Sequence, residues 1–167
     1  MNYSECIIKA KDRIGKFCKA CPECNGRACK NQMPGPGSKG IGDTAVRNYD
    51  KWKEIRVQMD TIAENKPVDT SLELFGKTFC YPVFAGPVGA VSLHYGDCLD
   101  DVAYNDILVS ACAENGIAAF TGDGVDSNVM VAATAAIKKA GGVGIPTVKP
   151  WNLETIREKM ELVNLLF

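Results

Sequence analysis

Residues 117–148 read IAAFTGDGVDSNVMVAATAAIKKAGGVGIPTV. Two continuous apolar runs, Ile117–Thr121 and Val143–Val148, flank an alanine-rich segment, Ser127–Ala140, which is followed by two glycines. The apolar runs have the length of strands and do not alternate with polar residues, which is typical of strands that are buried on both faces of a sheet. The pattern therefore predicts two parallel strands joined by a helix that covers the sheet.

The same order of elements continues on both sides of this unit. Upstream, Tyr81–Ala85 predicts another buried strand, and Asp101–Ala113 predicts a helix that ends at Asn115 and Gly116. Downstream, Asn152 is the expected N-cap of a last helix. The predicted inner face of that helix consists of Leu153, Ile156, Met160 and Val163. Three successive strand–helix units predict an α/β fold with a parallel sheet.

Residues 1–66 predict a cysteine-rich helical extension that is separate from residues 67–167. A helix is expected from Asp43 to Ala63, because apolar side chains recur there at intervals of three and four residues. The apolar positions are Ala45, Tyr49, Trp52, Ile55, Met59 and Ile62. Residues 33–42 contain a G-x-G-x-x-G pattern, but no strand precedes it, so we interpret it as a loop and not as a dinucleotide site.

The composition excludes several classes of function. Hydrophobic residues make up 46% of the 167 and charged residues 23%, which is typical of a folded protein. The net charge is −1, so neither a nucleic acid nor an acidic membrane is an expected partner. We find no apolar run of about 18 residues and no readable signal peptide, which predicts a cytoplasmic protein without a membrane span.

Cysteine is the unusual component, since eight are present and four of them lie within twelve residues. These four form the motif Cys18-x2-Cys21-x2-Cys24-x4-Cys29. In a reducing compartment, such a cluster indicates metal or redox chemistry and not disulfides. The short gaps allow four sulfur atoms to converge on one [4Fe–4S] cluster or one tetrahedral Zn²⁺. The spacing favours the iron–sulfur cluster, and zinc and free or redox-active thiols remain as alternatives.

A more specific pattern lies in residues 68–90, which read VDTSLELFGKTFCYPVFAGPVGA. This segment resembles the FMN-dependent α-hydroxy-acid oxidases and dehydrogenases, the family of glycolate oxidase and lactate oxidase. The matching positions are Val68, Asp69, Thr70, Ser71, Gly76, Pro82 and Gly86–Gly89. Asn48 and Trp52 match the helix before the family's barrel, and residues 107–122 resemble its first barrel helix and second strand. The resemblance extends over Gly37–Val163, and the order and spacing of the motifs agree.

The resemblance implies that the chain is the N-terminal part of a TIM (β/α)8 barrel and contains about three of its eight units. It also implies FMN as the cofactor. In such barrels, functional residues lie at the C-terminal ends of the strands. Pro87, Val88 and Gly89 correspond to the family's first strand end, where the backbone lies against the flavin ring.

Two further positions are implied to contact the flavin. Gly122 corresponds to a serine at the end of the second strand, and Thr121 or Asp123 beside it could supply the missing polar group. Lys149 follows the third strand, where the family carries glutamine and tyrosine. We expect its ammonium to hold the negative N1/O2 edge of the flavin or a carboxylate.

The implied activity is oxidation of a small 2-hydroxy acid by hydride transfer from its α-carbon to flavin N5. The family's catalytic histidine and carboxylate-binding arginine lie in a motif like Ser-Asn-His-Gly-Gly-Arg, which these 167 residues lack. The only histidine, His94, is expected to pack in a loop or at the surface. We therefore expect a truncated chain, or one whose barrel a second chain completes, with weak FMN binding and little activity by itself.

A second hypothesis belongs to a different class of function. The cysteine motif alone predicts an iron–sulfur or zinc-binding interaction module that is not an enzyme. A bound flavin and a bound iron–sulfur cluster differ in their visible absorption, so the spectrum of the purified chain distinguishes the two hypotheses.

Overall fold

The computed structural model describes residues 2–30, 32 and 43–164. Within these ranges, the chain forms two compact units. The first unit comprises the described residues up to Pro67 together with Ser92–Cys98, and the second comprises Val68–Val91 and the described residues from Leu99 onwards. The predicted loop at 33–42, with its glycine pattern, lies outside the described residues.

The described chain contains six helices and one two-stranded sheet. The helices are α1 (Tyr3–Lys11), α2 (Thr44–Trp52), α3 (Val91–Tyr95), α4 (Asp101–Glu114), α5 (Ser127–Lys139) and α6 (Leu153–Asn164). None of these helices is long and apolar enough to cross a membrane. The strands are β1 (Leu72–Leu74) and β2 (Lys77–Phe79), which pair in antiparallel register.

The hairpin between β1 and β2 is absent from the sequence-based prediction. Phe75 and Gly76 connect the strands, and both have positive φ angles, 53° and 69°. A two-residue connection with positive φ at both positions matches the twist of antiparallel strands. A Gly at the second turn position was the available signal, but the flanking strands have only three residues each.

Helices α4 and α5 confirm the two predicted helices to within one residue at their ends. Each begins at an aspartate whose carboxylate accepts a backbone hydrogen bond: Asp100 from Ala103 N–H at 2.7 Å and Asp126 from Asn128 N–H at 2.9 Å. Their facing sides pack into one apolar core. The buried members of this core are Val109, Cys112, Ala119, Ala136 and Ile137.

The three predicted strands are present only as single-residue bridges. Ala85 bridges Ala119, and Phe120 bridges Ile145, both in parallel orientation. Phe120 N–H donates to Ala85 O at 2.9 Å, and Ile145 N–H donates to Ala119 O at 2.8 Å. The order and direction of the three segments are therefore as predicted, but the regular parallel sheet is not found in the described chain.

Residues beside the bridges explain why the ladders are short. Gly86 and Pro87 follow the first bridging residue directly, and proline has no N–H to donate. Ile145 lies between Gly144, whose φ is 157°, and Pro146. The glycines and prolines that mark the ends of these segments in the sequence also limit how far each strand can pair.

The predicted helix from Asp43 to Ala63 is wrong beyond Trp52. No regular secondary structure follows α2 until β1, and all residues from 51 to 71 are exposed. Ile55, Met59 and Ile62 were expected to be buried, and they are exposed. A helix of this length is marginal in water unless its apolar face packs against another element, and these side chains have no such partner.

Helix α6 begins where the sequence predicts, because the Asn152 side chain accepts a hydrogen bond from Thr155 N–H at 2.9 Å. The prediction of its inner face is wrong at Leu153 and Met160, which are exposed. The buried residue of this helix is Lys159, at 5% exposure. A charged side chain is buried here because α6 faces a buried carboxylate.

The first and second bridged segments come into close backbone contact just beyond the bridges. A Cβ atom added at Gly122 would lie 1.9 Å from Val88 O. We expect Gly122→Ala to lower the free energy of unfolding by about 3 kcal/mol, because two backbone segments would have to separate. Urea unfolding followed by circular dichroism measures this change.

Gly86 provides the matched control for this substitution. A Cβ atom at Gly86 meets nothing within 4 Å. We expect Gly86→Ala to change the free energy of unfolding by no more than about 0.5 kcal/mol. Equal unfolding midpoints for the two variants would contradict the close contact between Gly122 and Val88.

Candidate functional site

Asp123 follows the second bridged segment and accepts three hydrogen bonds from distant parts of the chain. Its Oδ2 receives Lys149 N–H at 2.8 Å and Trp151 Nε1–H at 2.6 Å, and its Oδ1 receives the Lys159 ammonium. Lys159 Nζ also donates to Gly124 O at 3.2 Å. The Asp123 side chain is fully buried and that of Lys159 is 7% exposed. One carboxylate thus joins the ends of two bridged segments and α6.

The surroundings of Asp123 keep it ionised. Burial alone would raise the pKa of this carboxyl group, but the hydrogen bonds from Lys149, Lys159 and Trp151 outweigh that effect and lower the pKa below its usual value. A buried carboxylate without partners would carry a large desolvation cost, which these donors offset. Asp123 is therefore an anion at neutral pH with its oxygens already engaged.

Two of the predicted flavin contacts, Gly89 and Gly122, hold the backbone of neighbouring segments together. A Cβ atom at Gly89 would lie 2.8 Å from Asp123 O, and one at Gly122 would overlap Val88 O. Gly122 is also buried, and its N–H donates to Asn105 Oδ1 at 3.1 Å. These glycines allow two segments to approach closely, so residues 87–89 and 122–123 form one edge of the second unit.

Lys149 joins the same edge through its backbone, since its N–H donates to Asp123, while its side chain is exposed. Pro87 is exposed, and Val88 and Gly89 are half-buried. An exposed ammonium and accessible backbone are groups that can bind a planar ligand with a negative edge. The chemistry of Pro87–Gly89 and Lys149 is therefore compatible with a flavin, and their contacts with it stay predictions. A direct flavin contact from Gly122 stays a prediction.

Asn105, Trp151 and Lys159 are residues of this region that the sequence analysis missed. Lys159 lies three positions after Ile156 and three before Leu162, so helical periodicity puts it on their face. That spacing was the available signal, and it was outweighed by the expectation that a lysine is exposed. Asn105 is buried on α4, and its Nδ2 has no hydrogen-bond partner among the described residues.

The four cysteines of the motif line a single cavity of about 270 Å³ in the first unit. The cavity is also lined by Ala45 and Asn48 of α2 and by Tyr95 of α3. All four thiols are free. Burial raises the pKa of Cys29, and the charges of the other three cysteines raise it further. The four cysteines of the motif are therefore close enough for the other three to influence the pKa of Cys29.

A site for a single metal ion is not formed at this cavity. Among the described residues, no group of three or more His, Cys, Asp or Glu side chains could hold one ion. His94 does not contribute either: it lies in α3 and not in a loop, with its ring edge-to-face against Tyr95 at 5.9 Å. The cysteine ligand set therefore stays a prediction.

The buried pair of Asp123 and Lys159 generates a stability prediction. We expect Lys159→Met to lower the free energy of unfolding by about 3 kcal/mol, because it leaves a buried carboxylate with fewer donors. Asp106 and Lys139 form an exposed pair at 3.8 Å, so Asp106→Asn is the matched control, with an effect of about 0.5 kcal/mol or less. Equal losses in urea unfolding would contradict the proposed importance of burial.

The lowered pKa of Asp123 also predicts an acid-dependent loss of stability. The unfolded carboxyl group has a pKa of about 3.9, and the folded value is lower, so the folded state releases the proton more readily. Its contribution is present above the unfolded value and is lost as the pH falls through the folded value. As the pH falls through this range, we expect the free energy of unfolding to decrease less steeply for Asp123→Asn than for the unchanged chain. An unchanged slope would be inconsistent with an ionised Asp123.

Comparison with known proteins identifies the family. A family model described as FMN-dependent dehydrogenase matches residues 36–160, about three quarters of the chain. No curated protein and no solved structure matches the chain. The family fold is a TIM barrel and the family cofactor is FMN. The chain belongs to the FMN-dependent dehydrogenase family.

Proposed function

We propose that the chain is part of an oxidoreductase that acts on small 2-hydroxy acids of the lactate and glycolate type. The family match supports FMN-dependent dehydrogenation in general. The observation that carries the proposal is the edge at which Asp123 holds the backbone of Lys149 next to residues 87–89. The substrate class comes from the resemblance of residues 68–90 to the glycolate and lactate oxidases.

The roles of the residues follow from their exposure and hydrogen bonds. Bound FMN would supply a two-electron acceptor for the hydride that leaves the α-carbon. The backbone of Pro87–Gly89 would support the flavin ring, and the exposed ammonium of Lys149 would hold the negative edge of the ring or a substrate carboxylate. Asp123 is a positioning residue, because its carboxylate oxygens are occupied by donors and it is not free to act as a base.

The segments around Ala85, Ala119 and Ile145 serve, in this proposal, as the beginning of the family's barrel. The parallel direction of both bridges supports this arrangement. The 167 residues contain one histidine and no Ser-Asn-His-Gly-Gly-Arg-like motif. We therefore propose that these residues do not oxidise hydroxy acids by themselves, and that the catalytic base and the carboxylate-binding arginine come from further protein, for example a second chain.

A second candidate function is a non-enzymatic module that binds a metal centre. The cavity lined by all four motif cysteines favours it. FMN binding at the edge of the second unit distinguishes the two functions, since a module without a flavin role has no reason to bind FMN there.

FMN affinity provides the first test. We expect Lys149→Gln to weaken FMN binding by about tenfold or more, because a hydrogen bond to a charged group contributes about 1.5–3 kcal/mol. Lys138→Gln, a change of the same type on the exposed side of α5, is the matched control and should leave binding unchanged. Quenching of FMN fluorescence measures both. Equal affinities for the two variants would overturn the assigned role of Lys149.

Substrate-dependent bleaching of the flavin provides the second test. The chain should be prepared alone and together with the polypeptide encoded directly after it, then given glycolate, lactate or 3-hydroxybutyrate without oxygen. We expect no bleaching with the chain alone, and bleaching of the combined preparation only by the two 2-hydroxy acids. Bleaching of the flavin in the preparation of the chain alone would overturn the proposal that the chain is inactive by itself. Equal bleaching by 3-hydroxybutyrate overturns the substrate class.

A further inference from the structure

The first unit contains a cavity that the proposed flavin chemistry does not use. Cys18, Cys21, Cys24 and Cys29 line this cavity, and each is a free thiol. We propose that these four cysteines ligate one [4Fe–4S] cluster. The proposal rests on residues of the first unit only, so it does not depend on FMN binding by the second.

The backbone around the cysteines is folded so that the four side chains face one space. Ala20, between the first two cysteines, is buried and has a φ of 44°. Gly26, between the last two, is buried with a φ of 74°, and a Cβ atom there would lie 2.7 Å from Ala45 Cβ. Left-handed backbone at a non-glycine residue costs free energy and is kept where the surrounding structure requires it. The turn at Gly26 packs the segment against Ala45 of α2.

The cavity has room for a cluster, and the described side chains do not form a site for a single ion. Zinc binds sulfur at about 2.3 Å, so four tetrahedral ligands must lie about 3.8 Å apart. The described side chains form no such group. In a [4Fe–4S] cluster, each cysteine binds a different iron, which allows the sulfur ligands to be farther apart. The cavity of about 270 Å³ also has room for several atoms, since one liquid water occupies about 30 Å³.

The charge of the segment suits an anionic centre. Four thiolates on a [4Fe–4S]²⁺ core leave two negative charges in total. The segment from Cys18 to Lys30 carries three basic residues and one acidic residue, Glu23. Arg27 is paired with Asp50 at 3.1 Å, so Lys19 and Lys30 supply the remaining positive charge, and Lys19 lines the cavity itself.

Assembly of a [4Fe–4S]²⁺ cluster requires two ferrous ions, two ferric ions and four sulfide ions from outside the chain. Each of the four thiols loses its proton and forms one iron–sulfur bond, so four protons are released per cluster. No disulfide competes for these sulfur atoms in the structure. Because the ligand loops pack on α2, we expect cluster binding to stabilise the first unit against unfolding.

The experiment is anaerobic reconstitution of the chain with equal amounts of ferrous and ferric iron and with sulfide, followed by removal of unbound reagents. We expect about four iron and about four sulfide per chain, with a broad absorption band at about 400 nm. Retention of zinc in place of iron, with no sulfide, overturns the cluster. A chain that retains neither metal nor sulfide also overturns it.

Two exposed cysteines provide a matched pair of variants. Cys24 belongs to the proposed ligand set, and Cys98 lies in the same unit outside it. We expect Cys24→Ser to lower iron and sulfide content at least severalfold and Cys98→Ser to retain the full content. Circular dichroism of each apoprotein shows whether the variant is folded, and Cys29→Ser provides a second ligand variant. Equal iron content in the Cys24 and Cys98 variants would overturn the ligand assignment.

Discussion

The buried carboxylate of Asp123 is the interaction on which the second unit depends. It lies beyond the second bridged segment, accepts the backbone N–H of Lys149 after the third, and pairs with Lys159 on α6. Removing a carboxylate from water is unfavourable unless donors surround it, so the three elements must come together for the fold to be stable. The short parallel bridges alone would supply few hydrogen bonds for this purpose.

The same constraint shapes the candidate flavin edge. The hydrogen bond that satisfies Asp123 also fixes the backbone of Lys149, and its ammonium is left exposed at the end of the third segment. Gly122 brings the first segment close enough for Val88 and Gly89 to lie at that edge. Asp123 and Gly122 therefore hold the edge together, while Lys149 and the backbone near Pro87 remain accessible.

The first unit is organised on a different principle. Helices α1 and α2 contain no buried residues. Among the described residues before Pro67, Ala20 is the buried hydrophobic residue. A small unit with so little apolar burial commonly needs a metal or another cross-link for stability. In our proposal, the cluster held by Cys18, Cys21, Cys24 and Cys29 performs this structural role, whichever redox role it also has.

The sequence was sufficient to predict those features that depend on interactions between residues close together in the chain. The ends of α4 and α5 follow from their aspartate caps and glycine stops, and the family follows from ordered motifs in residues 68–90. The sequence also predicted which residues would contact a flavin and which cysteines would bind a metal centre, and both remain predictions. It did not determine their contacts, because burial depends on which distant element lies opposite.

Tertiary structure alone decided that Lys159 is buried and Met160 is exposed, since a carboxylate 36 residues earlier faces α6. It also decided that the apolar stripe after Trp52 remains exposed and non-helical, since no described element covers it. Helical periodicity specifies which residues share a face. Only the packed chain specifies whether that face meets apolar groups, a charge or water.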